Sequence, residues 1–267
     1  MHSNDILVTR DDGVAILTLN RPDRYNAWTR AMRNRLAQEV RGLMDDESVK
    51  ALVFTGAGDR GFSTGQDFNE SQGFDGDATS RAWLYEIKDL YDLIRRIEKP
   101  TVAALNGIAA GSGFQFALLM DFRIGHPGVT MGQPEINNGI PSVVGPWVMS
   151  ERITLTQATD LALTGRLIDC EEAARMGLIN KVVPAGEVLS TAIALARELG
   201  AKPPTALRHT KRAMRLSTQA RFDQAFEIAE QAQVAAFASG EPQRCMEEFL
   251  RIRQARKLGA ANTADAK

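Results

Sequence analysis

Three short β-forming runs, KALVFTG (50–56), TVAALNG (101–107) and DFRIG (121–125), with helix-length patterns between them, constrain the fold most. After the first, Leu84, Ile87, Tyr91 and Ile94 recur at helical spacing until Lys99-Pro100 ends the pattern. After the second, FQFALLM fits a helix beginning near Gly113. Strand, helix, strand, helix, strand at this spacing predicts a parallel sheet built from βα crossover units. Upstream, ILVTRDDGVAILTLN (6–20) reads as two short strands joined by Asp-Asp-Gly. Met32, Leu36, Val40 and Leu43 then mark an amphipathic helix with Thr29 as its N-cap. From about Val143 the pattern is helical, over 186–199, 204–216, 220–238 and 241–257, with GLINKVV (177–183) as the one strand-like interruption. The chain therefore divides into an α/β core over 1–200, a helical region over 201–258 and a polar tail over 259–267, expected to be disordered.

Composition excludes several classes of function. The 32 Lys and Arg nearly cancel the 33 Asp and Glu, so no global field recruits nucleic acid or an acidic membrane. The opening MHSNDILVTRDDG lacks the basic start and apolar run of a secretory signal, and no stretch approaches about 18 uninterrupted apolar residues. The expectation is a soluble cytoplasmic protein without membrane partners. Cys170 and Cys245 are isolated and read as small apolar groups. His2, His126 and His209 lack ligand spacing, so no metal site is expected.

In open α/β sheets, ligands bind beyond the carboxyl ends of parallel strands. The segments after 50–56 and 101–107 carry Gly61 and Gly65 in the first, and Gly107, Gly111 and Gly113 in the second. Glycine lets a backbone amide turn toward a ligand, and two such loops could aim two N–H groups at one oxygen; the same glycines also serve simply as turn formers. AGSGF is not the nucleophile elbow of hydrolases, because Ala110 and Phe114 stand where glycines are required. With no histidine nearby, Ser112 is a poor nucleophile. GAGDRG (56–61) runs into polar loop rather than a helix, which argues against a dinucleotide site.

Taken together, LNRPDRYNAW, RGFSTGQDF, ALNGIAAGSGFQFALLMDFRI, MGQPEINNGIPSVVG and LTGRLIDCEEAARMGLINKVV occur in the order seen in the crotonase superfamily, which the chain resembles from about residue 6 to 255. That superfamily includes enoyl-CoA hydratases and isomerases. The resemblance implies a crotonase-like (ClpP/crotonase) spiral of repeated ββα units, with the C-terminal helices serving in trimerisation or as a lid. It also implies a homotrimer or dimer of trimers, and a coenzyme A thioester as substrate with no separate cofactor. The backbone N–H groups of Gln66 and Ser112 would form an oxyanion hole, and Glu135 would be the acid/base. Coenzyme A would be flanked by Arg24, by the segment Gln66, Asp67, Phe68 and Asn69, by Gly111, and by Phe249 and Arg253 of the last helix. The arginines of that helix, Arg251 included, also read as an ordinary solvated face.

One departure from the family pattern matters. Where a second catalytic glutamate often stands, this chain has Gln115. An amide can orient water but cannot accept its proton, because the nitrogen lone pair is delocalised into the carbonyl. A single carboxylate is still sufficient to move a proton from one carbon to another, which tilts the expectation toward double-bond isomerisation or one-base hydration. An acyl-CoA lyase, a thioesterase of the same fold and a noncatalytic CoA- or RNA-binding homologue are the alternatives, the last disfavoured by the near-zero charge. Asp67 is expected to brace its loop and Asp121 to be a structural hydrogen-bonding group.

Overall fold

The computed structural model describes residues 4–71, 78–248 and 251. Strands β1 (Ile6–Asp11) and β2 (Val14–Leu19) form an antiparallel hairpin. Its two-residue turn places Asp12 and Gly13 at φ of 45° and 77°, the left-handed pair that matches strand twist in tight hairpins. Helix α1 (Arg30–Asp45) follows, and the Thr29 side chain accepts from the Met32 N–H as expected, a cap worth about 1 kcal/mol. Next come β3 (Ala51–Gly56), β4 (Gly61–Ser63), the single turn α2 (Phe68–Ser71), α3 (Ala78–Arg95), β5 (Thr101–Ala104), β6 (Ile108–Ala110) and α4 (Ser112–Leu119). Beyond these lie β7 (Phe122–Gly125), β8 (Thr130–Gly132), a 3-10 turn Pro134–Asn138, α5 (Val144–Ser150), α6 (Leu155–Thr164), β9 (Leu167–Asp169) and α7 (Cys170–Arg175). The chain continues through β10 (Lys181–Val182), α8 (Val188–Gly200), α9 (Pro204–Ser217) and α10 (Gln219–Ser239).

The larger sheet has the order β1-β2-β3-β5-β7-β10 and is parallel from β2 onward. A second sheet, β4-β6-β8-β9, is built from three-residue strands that the sequence patterns do not reveal. Three strands of the first sheet each pass to a short strand of the second and then to helix: β3-β4-α2-α3, β5-β6-α4 and β7-β8-α5. This is the repeated ββα spiral with a helical C-terminal region. Three local expectations change. Residues 61–63 and 108–110, read as loop, are buried or half-buried strands; β9 is a second strand in the helical half; and the run 177–183 pairs only at Lys181–Val182.

The central strands are covered on both faces, and a period of two sorts their side chains. Val14, Ile16, Ala51, Val53, Val102 and Ala104 pack with Val188, Ala192 and Ala196 of α8. The alternate residues Ala15, Leu17, Leu52, Phe54 and Ala103 face the main core with Met32, Leu36 and Val40 of α1. Helix α4 is buried on all sides from Gly113 to Leu118, while its first residue, Ser112, is half-buried. Asp121 accepts from the Thr101 N–H and hydroxyl and from Lys211 Nζ, which also donates to the Lys99 carbonyl, tying α9 to the core. Residues 241–248 are helical; the remainder of the expected last helix, apart from Arg251, and the tail 259–267 lie outside the described residues.

Candidate active site

The segment after β4 is anchored by aromatic packing. The Phe116 ring of α4 meets Trp28 edge-on at 5.2 Å and Phe54 at 5.5 Å. Trp28 in turn forms a parallel bridge around Gln66: the Trp28 N–H donates to the Gly65 carbonyl and the Asp67 N–H to the Trp28 carbonyl. In such a bridge the flanking groups face the partner, so the N–H of Gln66 itself points away from Trp28, and it has no acceptor among the described residues. The Gln66 side chain is held separately, its Oε1 accepting from buried Arg33 at 2.6 Å and its Nε2 donating to Glu70 at 3.2 Å. Gly65, at φ +80°, brings this segment against α4, where a Cβ would stand 2.8 Å from the Ser112 nitrogen. Any side chain there would force the two segments apart.

Ser112 opens α4, so its N–H has no intrahelical acceptor, and none is found elsewhere among the described residues. The preceding Gly111, at φ +58°, presents a bare Cα to Glu135: a Cβ there would lie 3.1 Å from Glu135 Oε1. Glu135 sits in the 3-10 turn after β8, and although the residue as a whole is partly exposed, its Oε2 is enclosed and unpartnered. Burial of the carboxyl raises its pKa to about 7, outweighing its own main-chain N–H and the neighbouring Gln133 amide, which both pull it down. Gln115 Nε2 lies 3.4 Å from Glu135 Oε1, and Gln115 Oε1 accepts from the Tyr91 hydroxyl at 3.0 Å. The Tyr91 hydroxyl, in an apolar enclosure beside Glu135, is pushed well above the ordinary tyrosine range. The result is one carboxyl poised near neutrality, one fixed neutral amide and two free backbone donors.

These groups border one cavity of about 110 Å³, lined also by Trp83, Leu84 and Ile87 of α3, residues 140–144, and Ala229, Gln233 and Phe237 of α10. Gln66, Ser112, Gln115, Glu135 and Gly111 are thus gathered at one place. The other described sequence candidates do not line this cavity. Arg24 is exposed on the turn Pro22–Arg24, and Asn69 is exposed while donating to Asp67. Phe68 begins α2. Asp67 is buried and braces the loop as expected: burial opposes its charge, but Asn69 and Arg21 outweigh that and hold it below the usual carboxylate range. Phe249 and Arg253 lie outside the described residues. Among the described residues, no cluster of three or more His, Cys, Asp or Glu could hold a metal ion, and no helix is long and apolar enough to cross a membrane.

The profile of the enoyl-CoA hydratase/isomerase family matches residues 9–257. The chain belongs to this family. It is 32% identical over 96% of its length to the crotonyl-CoA hydratase of Syntrophomonas wolfei, covering 98% of that protein. It is 29% identical over 95% of its length to the short-chain-enoyl-CoA hydratase of Clostridium acetobutylicum, covering 97% of it. The crystal structure of an enoyl-CoA hydratase/isomerase from Mycobacterium paratuberculosis superposes with a TM-score of 0.85 at 29% identity, over 92% of this chain and 98% of the other.

As a hydratase/isomerase family enzyme, the protein shows three site features that sequence patterns missed. Arg33, which clamps the Gln66 side chain, is a buried charge on the apolar face of α1, and its place beside Met32 and Leu36 was the available signal. Tyr91 reads as one more apolar residue of α3, and nothing local marks its hydroxyl as the partner of Gln115. The α10 wall of the cavity had no sequence signal at all.

Proposed function

We propose that this family member moves a proton along an enoyl-CoA thioester with Glu135 as its one acid/base. The carboxylate takes a proton from the α-carbon of a 3-enoyl thioester, and the electron pair delocalises into the carbonyl to give a dienolate. The protonated Glu135 then returns the proton at the γ-carbon, leaving the 2-enoyl isomer. The Gln66 and Ser112 N–H groups, free of other acceptors and bordering the same cavity, bind the dienolate oxygen. Donors of this kind are each worth about 100- to 1000-fold in rate, and a matched acid/base about 100- to 10,000-fold. Arg24, Asn69, Phe249 and Arg253 are assigned to the coenzyme A portion, and a homotrimer or paired trimers to the assembly, by the same family correspondence; Leu155, Leu163, Met214 and Leu216 are exposed apolar residues available for such contacts.

The observation that carries this reading is the Gln115 amide. It touches the only carboxyl that lines the cavity among the described residues, and its carbonyl already accepts from Tyr91, so no second base among those residues faces that carboxyl. One-base hydration is the second reading, favoured by the hydratase names of both relatives. In it, Glu135 takes a proton from water attacking the β-carbon and delivers it to the α-carbon. Mass spectrometry over 2-enoyl and 3-enoyl thioesters separates the two. Unchanged mass with a moved double bond is expected, gain of water supports the second reading, and conversion of no thioester overturns both.

A further inference from the structure

The cavity beside Glu135 is mostly apolar, with Trp83, Leu84, Ile87, Ile140 and Val144 in its wall, but enclosed polar side-chain atoms without a partner occur there at Ser112, Gln133, Gln233 and Ser142, and the last two belong to no reacting group. Gln233 enters from α10; the residue is only 6% exposed, and its Oε1 is enclosed with no hydrogen-bond partner. The Ser142 hydroxyl is likewise enclosed and unpartnered. Gly145 makes room for it: a Cβ there would stand 2.7 Å from Ser142 Oγ and 2.6 Å from Gln133 Cδ. A buried polar atom left without a partner is destabilising, and leucine would fill the place of Gln233 between Ala229 and Phe237 without that cost. Neither Gln233 nor Ser142 hydrogen-bonds to Gln115, Glu135 or any other described residue, so catalytic positioning does not explain them.

The lining also limits the ligand's charge. Glu135 is its only ionisable side chain among the described residues, with no Lys, Arg or His facing the cavity. An acyl group ending in a carboxylate would be desolvated without a countercharge. A plain alkyl chain would leave Gln233 and Ser142 unpaired. A neutral hydroxyl has the donor and the acceptor that the two lack, a proton for Gln233 Oε1 and a lone pair for the Ser142 hydroxyl. We propose that the acyl group selected by this cavity carries a hydroxyl beyond the reacting carbons, held by Gln233 and Ser142. This rests on the thioester chemistry proposed above.

The test compares enoyl-CoA thioesters of equal chain length bearing a plain alkyl end, a hydroxyl or a carboxylate, using the full chain and its Gln233→Leu and Ser142→Ala variants. The unaltered enzyme is expected to favour the hydroxylated thioester in kcat/KM by about 10- to 100-fold, the equivalent of one unpaired buried group. Gln233→Leu removes that preference while sparing or raising turnover of the alkyl thioester. Ser142→Ala, which deletes a single oxygen, carries the same comparison if the leucine variant does not fold. Equal turnover of the alkyl and hydroxylated thioesters, preference for the carboxylate, or an equal loss on all three in both variants overturns the proposal and leaves the enolate chemistry standing. Turnover of none of them by the unaltered enzyme overturns both.

Discussion

The Glu135→Gln variant should lose turnover and gain stability, the gain appearing only above the pH at which an unfolded glutamate ionises. In the folded protein the carboxyl holds its proton up to a pH of about 7, against 4.5 for the ordinary group, because burial opposes its charge. Between those values the native state carries a proton that the unfolded chain has released. Stability therefore falls as pH rises through this window, and the neutral carboxyl's advantage is gone above 7. At 1.36 kcal/mol for each pH unit between the two values, the penalty reaches about 3 kcal/mol. Glutamine has nearly the same shape and does not ionise, so the variant should match the unaltered protein near pH 4.5 and exceed it by about 3 kcal/mol at pH 8. For a chain of this size that is roughly 6–10 °C in Tm, readable by thermal melts in matched buffers. In the same preparations, the proposed role of the carboxylate as base predicts that kcat/KM of the unaltered enzyme rises tenfold per pH unit to a plateau above about 7. The variant should fall at least about 100-fold below that plateau. A melting difference equal at pH 5 and pH 8, or full turnover by the variant, would refute the assignment of a buried, titrating base.

Gln115→Glu places a second carboxyl where the amide nitrogen now sits 3.4 Å from Glu135 Oε1, so the pair should retain one proton to higher pH. The acidic limb of the kcat/KM profile should then move above 7, with more water-addition product by mass spectrometry; an unmoved limb would count against the contact. Gly65→Ala must adopt φ +80° and press a methyl within 2.8 Å of the Ser112 nitrogen, which should lower kcat about 100-fold and stability by about 1–2 kcal/mol. Wild-type kcat in that variant would remove the close approach of the two segments from the mechanism. Lys211→Met strips Asp121 of its α9 partner and leaves the Lys99 carbonyl unpaired, and should lower the unfolding free energy in urea by about 1–3 kcal/mol. An unchanged urea midpoint would show that this tie does not hold α9 to the core.

Much of this architecture was legible locally. The Asp12-Gly13 turn, the Thr29 cap and the uniform apolar runs of β3 and β5 follow from backbone freedom, side-chain hydrogen bonding and spacing within a few residues. The loops bearing Gly65 and Gly111 were placed correctly after parallel strands, but β4, β6, β8 and β9 were invisible as a sheet. Three residues carry too little periodicity to register, and they are strands only because their neighbours lie beside them. The same limit governs the site. That Glu135 and Gln115 are present is a fact of sequence; that the carboxyl titrates near 7 follows from its enclosure against Gly111. That the amide is fixed follows from Tyr91, a residue of a different helix. Local order is written in the periods of 2 and 3.6 that covalent geometry imposes on neighbouring side chains. Desolvation, strand pairing and the α10 wall arise between segments far apart in the chain, and only the folded packing could decide them.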